Sequence, residues 1–207
     1  MRTNHKAKIR VLTGQYILNN GVLQPAGTLT AYGTGVPPLT TGIMNSFRYK
    51  AFGLSVLIDG KFGAVMYSGT NDFAKYRGAH KETLRGRTEG IIEEGINANG
   101  TPNTTSVSSQ TYFQGSHLNI TGLDIYDADF IKLRQIILSY SLPQSIVGRT
   151  PFQGISVSVV GRNLAILMKH VPNVDPESSY NNTNGQGLEY FGAPPVRSYG
   201  FNLNLKL

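Results

Sequence analysis

The chain has 207 residues, and its 15% charged residues, 24 glycines, 11 tyrosines and 9 phenylalanines depart from ordinary globular composition, in which roughly 25% of residues are charged. A net charge of +7 invites nucleic acid as a partner, but the basic residues are scattered outside Arg2, His5, Lys6, Lys8 and Arg10, so no nucleic-acid role is expected. The lack of cysteine excludes a disulfide framework and a thiolate metal site, and no apolar run reaches the roughly 18 residues of a membrane helix, which leaves membrane β-barrels open.

The start, "MRTNHKAKIRV", is basic but has no apolar stretch behind it, so a signal peptide is not expected. Residues 1–40 read as the remnant of an upstream loop or strand. Strands are expected at about 41–49 and 52–66, joined by a tight turn at Lys50 and Ala51. Phe52, Leu54, Val56 and Ile58 share one face of the second strand, opposite Gly53, Ser55 and Asp59, because successive strand residues point to opposite sides. A long connection, 68–128, follows. Its first part, "NDFAKYRGAHKETLRGR", has a partly helical pattern, and "NANGTPNTTSVSSQT" is loop-forming.

A third strand is expected at about 130–142, a short link over 143–153, a fourth strand at about 154–168, a second long loop over 169–195 and a closing strand at about 196–207. In the third strand Ile131 and Leu133 are odd while Ile136, Leu138, Tyr140 and Leu142 are even. A bulge near Gln135 brings all six to one side and leaves Lys132, Arg134, Ser139 and Ser141 on the other. A similar shift is expected between Val159 and Val160. In "SYGFNLNLKL" the residues Tyr199, Phe201, Leu203, Leu205 and Leu207 alternate with Gly200, Asn202, Asn204 and Lys206.

The connections therefore run short, long, short, long, the asymmetry of a membrane barrel with tight turns on one side and extended loops outside. Tyr49, Phe52 and Tyr140 stand at one set of strand ends, with Tyr67, Tyr190 and Phe191 expected at the other, where aromatic rings meet a membrane interface. Two readings stay open on pattern alone: an oily face turned to lipid, or the inner face of a secreted soluble β-sandwich that binds carbohydrate.

No catalytic constellation emerges, so an enzyme is not expected, nor a cofactor. His5, His80, His117 and His170 are far apart, and the three that fall in expected loops are expected to be solvated. Asp175, Glu177 and Asn181 in "NVDPESSYNN" are oxygen donors without the spacing of a calcium loop, and no metal is expected. Tyr180, Asn181, Asn182, Asn184, Tyr190 and Phe191 combine aromatic faces with amide groups, suited to stacking on sugar rings and bonding their hydroxyls. Asp59, Lys61, Arg162 and Asn163 fall on the polar face, where Asp59 and Lys61 are expected to neutralise each other.

Several ordered stretches, "GTGVPPLTTGIMNSFRYKAFGLSVLIDGKFG", "HKETLRGR", "YDADFIKLRQIILSYSLPQSI", "VVGRNLAILMK", "NVDPESSYNN" and "PPVRSYGFNLNLKL", resemble the C-terminal part of the SusC/RagA-type TonB-linked outer-membrane transporters. The resemblance implies an all-β fold: residues 41–207 as the last five antiparallel strands of a 22-stranded barrel in the outer membrane of a Gram-negative cell. It also implies import of oligosaccharides or peptides. The implied partners are an N-terminal plug and further strands of the same protein, the TonB complex reached through that N-terminus, a SusD-like surface lipoprotein, the barrel assembly machinery and outer-membrane lipid. In that setting Tyr199, Phe201, Leu203, Leu205 and Leu207 face lipid, Asp59, Lys61, Arg162 and Asn163 face the lumen or plug, and Tyr180, Asn181, Asn182, Tyr190 and Phe191 contact ligand or lid. Five strands cannot close a barrel, so the sequence reads as a piece of a longer gene product, with Met1 an internal or miscalled start. It departs from the family pattern at Leu207, where these barrels commonly end in an aromatic residue.

Overall fold

A computed structural model describes residues 11–12, 15–27, 30–179 and 185–207. In chain order they form β1 (Val11–Leu12), β2 (Gln15–Asn19), β3 (Val22–Leu23), β4 (Leu39–Tyr49), β5 (Phe52–Phe62), β6 (Val65–Ser68), α1 (Gly69–Tyr76), β7 (Ile96–Asn97), α2 (Ser109–Ser116), β8 (Ile125–Asp127), β9 (Phe130–Ser141), α3 (Gln144–Val147), β10 (Gly154–Lys169), β11 (Leu188–Glu189) and β12 (Ser198–Lys206). Short 3-10 turns lie at Lys81–Leu84, Thr121–Asp124 and Pro176–Ser179. The chain divides into two compact units that interleave in sequence: residues 37–63, 128–170 and 194–207 form one, and the rest form the other.

The first unit is an open antiparallel sheet in the order β12-β10-β9-β5-β4. Its period-2 alternation is sustained in register across all five strands. Phe201 pairs with Val159, Val159 with Leu138, Leu138 with Leu54 and Leu54 with Phe47. The adjacent row is Asn202, Ser158, Ser139, Gly53 and Arg48. One row is wholly apolar and the next carries polar side chains or glycine, so the sheet has one oily face and one wetter face, on which Met44, Leu57, Ile137 and Val160 stand among the polar groups. The tight turn at Tyr49–Phe52 and the link holding α3 lie at one end of the sheet, and the strand ends at Phe62, Phe130 and Lys169 lie at the other.

Leu57 faces Gln135 while Ile58 faces Leu133, so Arg134 is the extra residue of a bulge. This keeps Ile131 and Leu133 on the same face as Ile136, Leu138 and Tyr140, as the broken parity predicts. The expected shift at Val159 and Val160 is corrected: pairing runs unbroken there, and the irregularities fall between Arg162 and Ala165 and between Ile166 and Met168. Asn163 supplies the physical reason for the first. It takes a positive φ of 52°, and its Oδ1 accepts a 2.9 Å hydrogen bond from Arg134 Nη1, so the extra backbone is absorbed beside the bulge of β9.

The oily face is not packed as a protein core. Phe201 is 70% exposed and Ile43 65%, and Phe47, Tyr49, Phe52, Leu138, Val159, Leu203 and Leu205 are exposed as well. A sandwich buries such a face against a second sheet. The described residues are 44% strand and 17% helix with no closed barrel, and exposed apolar area on this scale marks a surface made to be covered.

The second unit has its own small core, with Leu18, Leu23, Ile91, Tyr112, Phe113 and Ile120 packed together. β2 and β3 turn through Asn20 and Gly21, both at positive φ (49° and 78°), the conformation that Asn-Gly supplies cheaply in a two-residue hairpin. α1 starts where Ser68 Oγ accepts the N–H of Asn71 at 3.2 Å, and α2 starts at Ser108, whose Oγ accepts the N–H of Thr111 at 3.0 Å. Such caps satisfy helix N–H groups that have no partner within the helix. The long connection expected to be partly helical is so, in α1 and the Lys81–Leu84 turn.

Candidate functional site

Two arrangements of polar side chains stand out, one in each unit. On the wet face of the sheet, Asp59 is held by Arg134, whose Nε and Nη2 each lie 2.8 Å from Asp59 Oδ2. Arg134 reaches on to Asn163, and Asn163 Nδ2 donates to the carbonyl of Val196 at 3.2 Å. Arg134, which the bulge of β9 sets beside Asp59, is a charge partner of Asp59 that the expected pairing with Lys61 did not include. Arg162 is exposed and stands opposite Ser198. Lys61 stands opposite Thr40 and Phe130. Tyr199, Phe201, Leu203, Leu205 and Leu207 are all exposed.

In the other unit Tyr190 and Phe191 are exposed, and Tyr180, Asn181, Asn182 and Asn184 lie outside the described residues. Phe191 meets Phe73 edge-on at 5.5 Å between ring centroids, and its N–H donates to Thr70 Oγ1 at 2.9 Å. The turn that presents both rings is fixed by Glu189. This buried carboxylate accepts from Ser68 Oγ at 2.7 Å, from Thr70 Oγ1 at 2.5 Å and from the N–H of Gly192 at 3.3 Å. Tyr67, expected at a membrane interface, is instead buried in β6 of this unit and donates to Asp72 Oδ2 at 2.6 Å. Asp175 caps its own turn through the N–H of Glu177 at 2.8 Å.

A buried network that no local sequence pattern announces lies at the centre of this unit. His117 Nδ1 lies 2.7 Å from Asp124 Oδ2 and 3.3 Å from Asp72 Oδ1. Lys75 Nζ lies 2.9 Å from Asp124 Oδ1 and 2.9 Å from Glu82 Oε2, and Tyr126 donates to Asp124 Oδ1 at 2.7 Å. The N–H of Leu118 donates to Asp72 Oδ1 at 2.9 Å. His117, expected in solvent, is corrected to a buried residue, and so is His80. Charges enclosed this way persist only when paired and hydrogen-bonded. Asp72, His117 and Asp124 have the side-chain types of a metal site, but Nδ1 sits between two carboxylates as a donor, and the Lys75 ammonium already supplies positive charge to Asp124.

Burial by itself pushes His117 down, but its hydrogen bonds to Asp124 and Asp72 outweigh that and leave its pKa above the usual histidine value. Burial pushes Asp124 up, yet the His117 bond and the Lys75 charge bring its carboxyl down to about 2. His80 moves the other way: burial lowers its pKa despite the nearby Glu82. The signs follow by linkage. The His117 contribution to stability is complete below its unfolded value of about 6.5 and fades as pH rises through the higher folded value. Asp124 contributes above its unfolded value and loses the contribution as pH falls toward about 2. His80 contributes above about 6.5 and opposes His117 below it. Urea unfolding of the native chain and of His117→Asn is therefore expected to differ most near pH 5.5, with the gap narrowing by pH 9.

The same unit holds a cleft of about 790 Å3, lined by Tyr16, Leu23, Tyr112, Phe113, Leu123 and Tyr126 and by the polar groups of Lys75, His80, Lys81, Glu82, Arg85, Glu93 and His117.

An open amphipathic β-wall with a folded loop unit is the class of structure these observations define. No protein-family model matches the chain. Over 180 residues, 84% of the chain, it is 28% identical to TonB-dependent receptor P3 of Formosa agariphila and covers 17% of that protein. Among solved structures it is similar to the RagAB peptide importer in the "open-open" state (TM-score 0.64, 20% identity, 93% of this chain and 20% of that one). It is likewise similar to the RagAB peptide transporter (TM-score 0.57, 18% identity, 93% and 20%). The resemblance to SusC/RagA-type TonB-dependent transporters read from the motifs is borne out by these matches; the structural ones, at their identities, speak to the fold. The chain spans about a fifth of the length of the proteins it matches. These relatives are a receptor and transporters, in accord with a chain that is not an enzyme.

Proposed function

We propose that the five-stranded sheet is lipid-facing wall in the barrel of an outer-membrane transporter that imports large nutrients, peptides or oligosaccharides. The observation that carries this reading is the in-register apolar face, exposed from Ile43 on β4 to Leu205 on β12. Strands of 9 to 16 residues meet the length that a tilted strand needs to cross a bilayer, about 9–11 residues. Closure into 22 strands, a plug, energy from TonB, a SusD-like lipoprotein lid over the outer mouth and insertion by the barrel assembly machinery complete the proposal, with the long connections on the extracellular side. The receptor and importer relatives support it, and the wet face fits a lumen or plug surface, with Asp59, Lys61, Arg162 and Asn163 on it. Tyr190 and Phe191, with Tyr180, Asn181 and Asn182, remain the proposed contacts for ligand or lid.

Fractionation tests this reading. The chain is expected to stay with outer membranes through an alkaline carbonate wash and to require detergent for extraction. Recovery as a soluble, cooperatively unfolding monomer in detergent-free buffer overturns it.

A further inference from the structure

We infer that the tight-turn end of the sheet is a docking surface for the headgroups of anionic phospholipid. The inference rests on the lipid-facing reading of the sheet and adds which lipid it meets and where. Residues 37–63, 128–170 and 194–207 carry ten lysines and arginines against two aspartates, Asp59 and Asp129. The whole of the chain's net charge of +7 therefore resides in the sheet and none of it in the loop unit. A wall that sets one face in hydrocarbon and carries that excess fits a bilayer with negative headgroups, which attract cations held near its surface.

The placement of the charges singles out one end. Both aspartates lie toward the end at Phe62 and Phe130, where Arg134 is already paired with Asp59. The opposite end, at the Tyr49–Phe52 turn and the link through α3, holds Arg48, Lys50, Arg149 and Lys206 and no acidic residue. All four are exposed, and none makes an ion pair or a side-chain hydrogen bond among the described residues. Arg48 and Lys206 stand on the wetter face, opposite Gly53 and Gly154. Lys50 lies in the turn itself, with its Nζ over the Tyr49 ring at 5.4 Å from the centroid. Tyr49 shares a row of the oily face with Phe52 and Tyr140, whose rings meet at 4.8 Å. Lys50 thus carries its charge to the rim of the face that meets lipid, as a lysine does when it reaches past an aromatic ring at headgroup level. Lys50 and Arg149, in the turn and the link, are the direct contacts for lipid phosphate, an acceptor that ammonium and guanidinium groups bind strongly. Arg48 and Lys206 add to the field at the rim, which physiological salt screens over about 8 Å. With the long connections outside, as proposed, this end lies in the periplasmic leaflet.

The test places the full chain in phosphatidylcholine bilayers holding a trace of spin-labelled phosphatidylcholine or phosphatidylglycerol. Electron paramagnetic resonance reads the share of each label slowed at the protein surface. Slowed phosphatidylcholine is expected, since the oily face meets acyl chains whatever the headgroup; slowing of neither label overturns the lipid-facing reading and this inference with it. Phosphatidylglycerol is expected to be favoured by about two- to fivefold, up to the attraction of roughly one cation near a charged surface. The preference is expected to shrink in about 1 M salt, where screening acts within about 3 Å. Replacing Lys50→Gln together with Arg149→Gln is expected to remove at least about half of it, with slowed phosphatidylcholine reporting that the sheet is still in the bilayer. Arg197→Gln, just before β12 at the opposite end, is expected to leave it as it is. Equal slowing of the two labels by the native chain overturns the anionic preference. A preference that survives the double replacement, or that Arg197→Gln reduces as much, overturns its placement at the turn end.

Discussion

Arginine at Phe201 is expected to cost about 2–4 kcal/mol of stability in a bilayer, whereas arginine one residue on, at Asn202, is expected to stay within about 0.5 kcal/mol of the native chain. The two positions are neighbours in sequence but belong to different rows. Phe201 continues the row of Val159, Leu138, Leu54 and Phe47, and Asn202 continues that of Ser158, Ser139, Gly53 and Arg48. A guanidinium in the first row must enter hydrocarbon or drag water with it, while one in the second row stays on the wet face. Urea unfolding of the two variants in phosphatidylcholine bilayers measures the difference. Equal costs at both sites mean that the oily face does not meet lipid.

The second large effect is expected in the loop unit. Asp124→Ala removes one carboxylate from a fully buried cluster and leaves Lys75 and His117 short of a counter-charge, a change that costs about 3–5 kcal/mol when a buried pair is broken. Asp124 accepts from three side chains at once, His117, Lys75 and Tyr126. These belong to the end of α2, to α1 and to β8, so its loss uncouples three elements. Amide hydrogen exchange in α1, in α2 and around residue 117 is expected to speed up together, while β9 and β10 keep their protection. Unchanged exchange in α1 and α2 would show that the network contributes little to holding the unit.

The sheet was legible because its signal is local. Period-2 alternation and its breaks are written in adjacent residues, so the bulge beside Gln135 could be placed from parity within one strand. The break in β10 was misplaced because parity records that a residue has been added but not where. Its position is set by Asn163, whose bond to Arg134 on another strand no local pattern contains. Tyr67 misled for a related reason: it looks like the end of a long strand, but the chain turns at Gly63 (φ 83°) and β6 starts a different sheet. The network of Lys75, Asp72, His117 and Asp124 was invisible because its members are brought together only by the tertiary fold. Lone histidines in polar sequence read as solvated until that fold is known.

The central claim, that one face of this sheet meets lipid, is tested most directly by the natural absence of cysteine. Single cysteines at Phe47, Leu54, Leu138, Val159 and Phe201, and at Arg48, Gly53, Ser139, Ser158 and Asn202, can be labelled with an environment-sensitive fluorophore in outer membranes. The first five labels are predicted to emit blue-shifted light that a lipid-borne quencher extinguishes, and the second five to emit as if in water or packed protein. Two rows with the same emission, or a first row open to an aqueous quencher, would contradict the account.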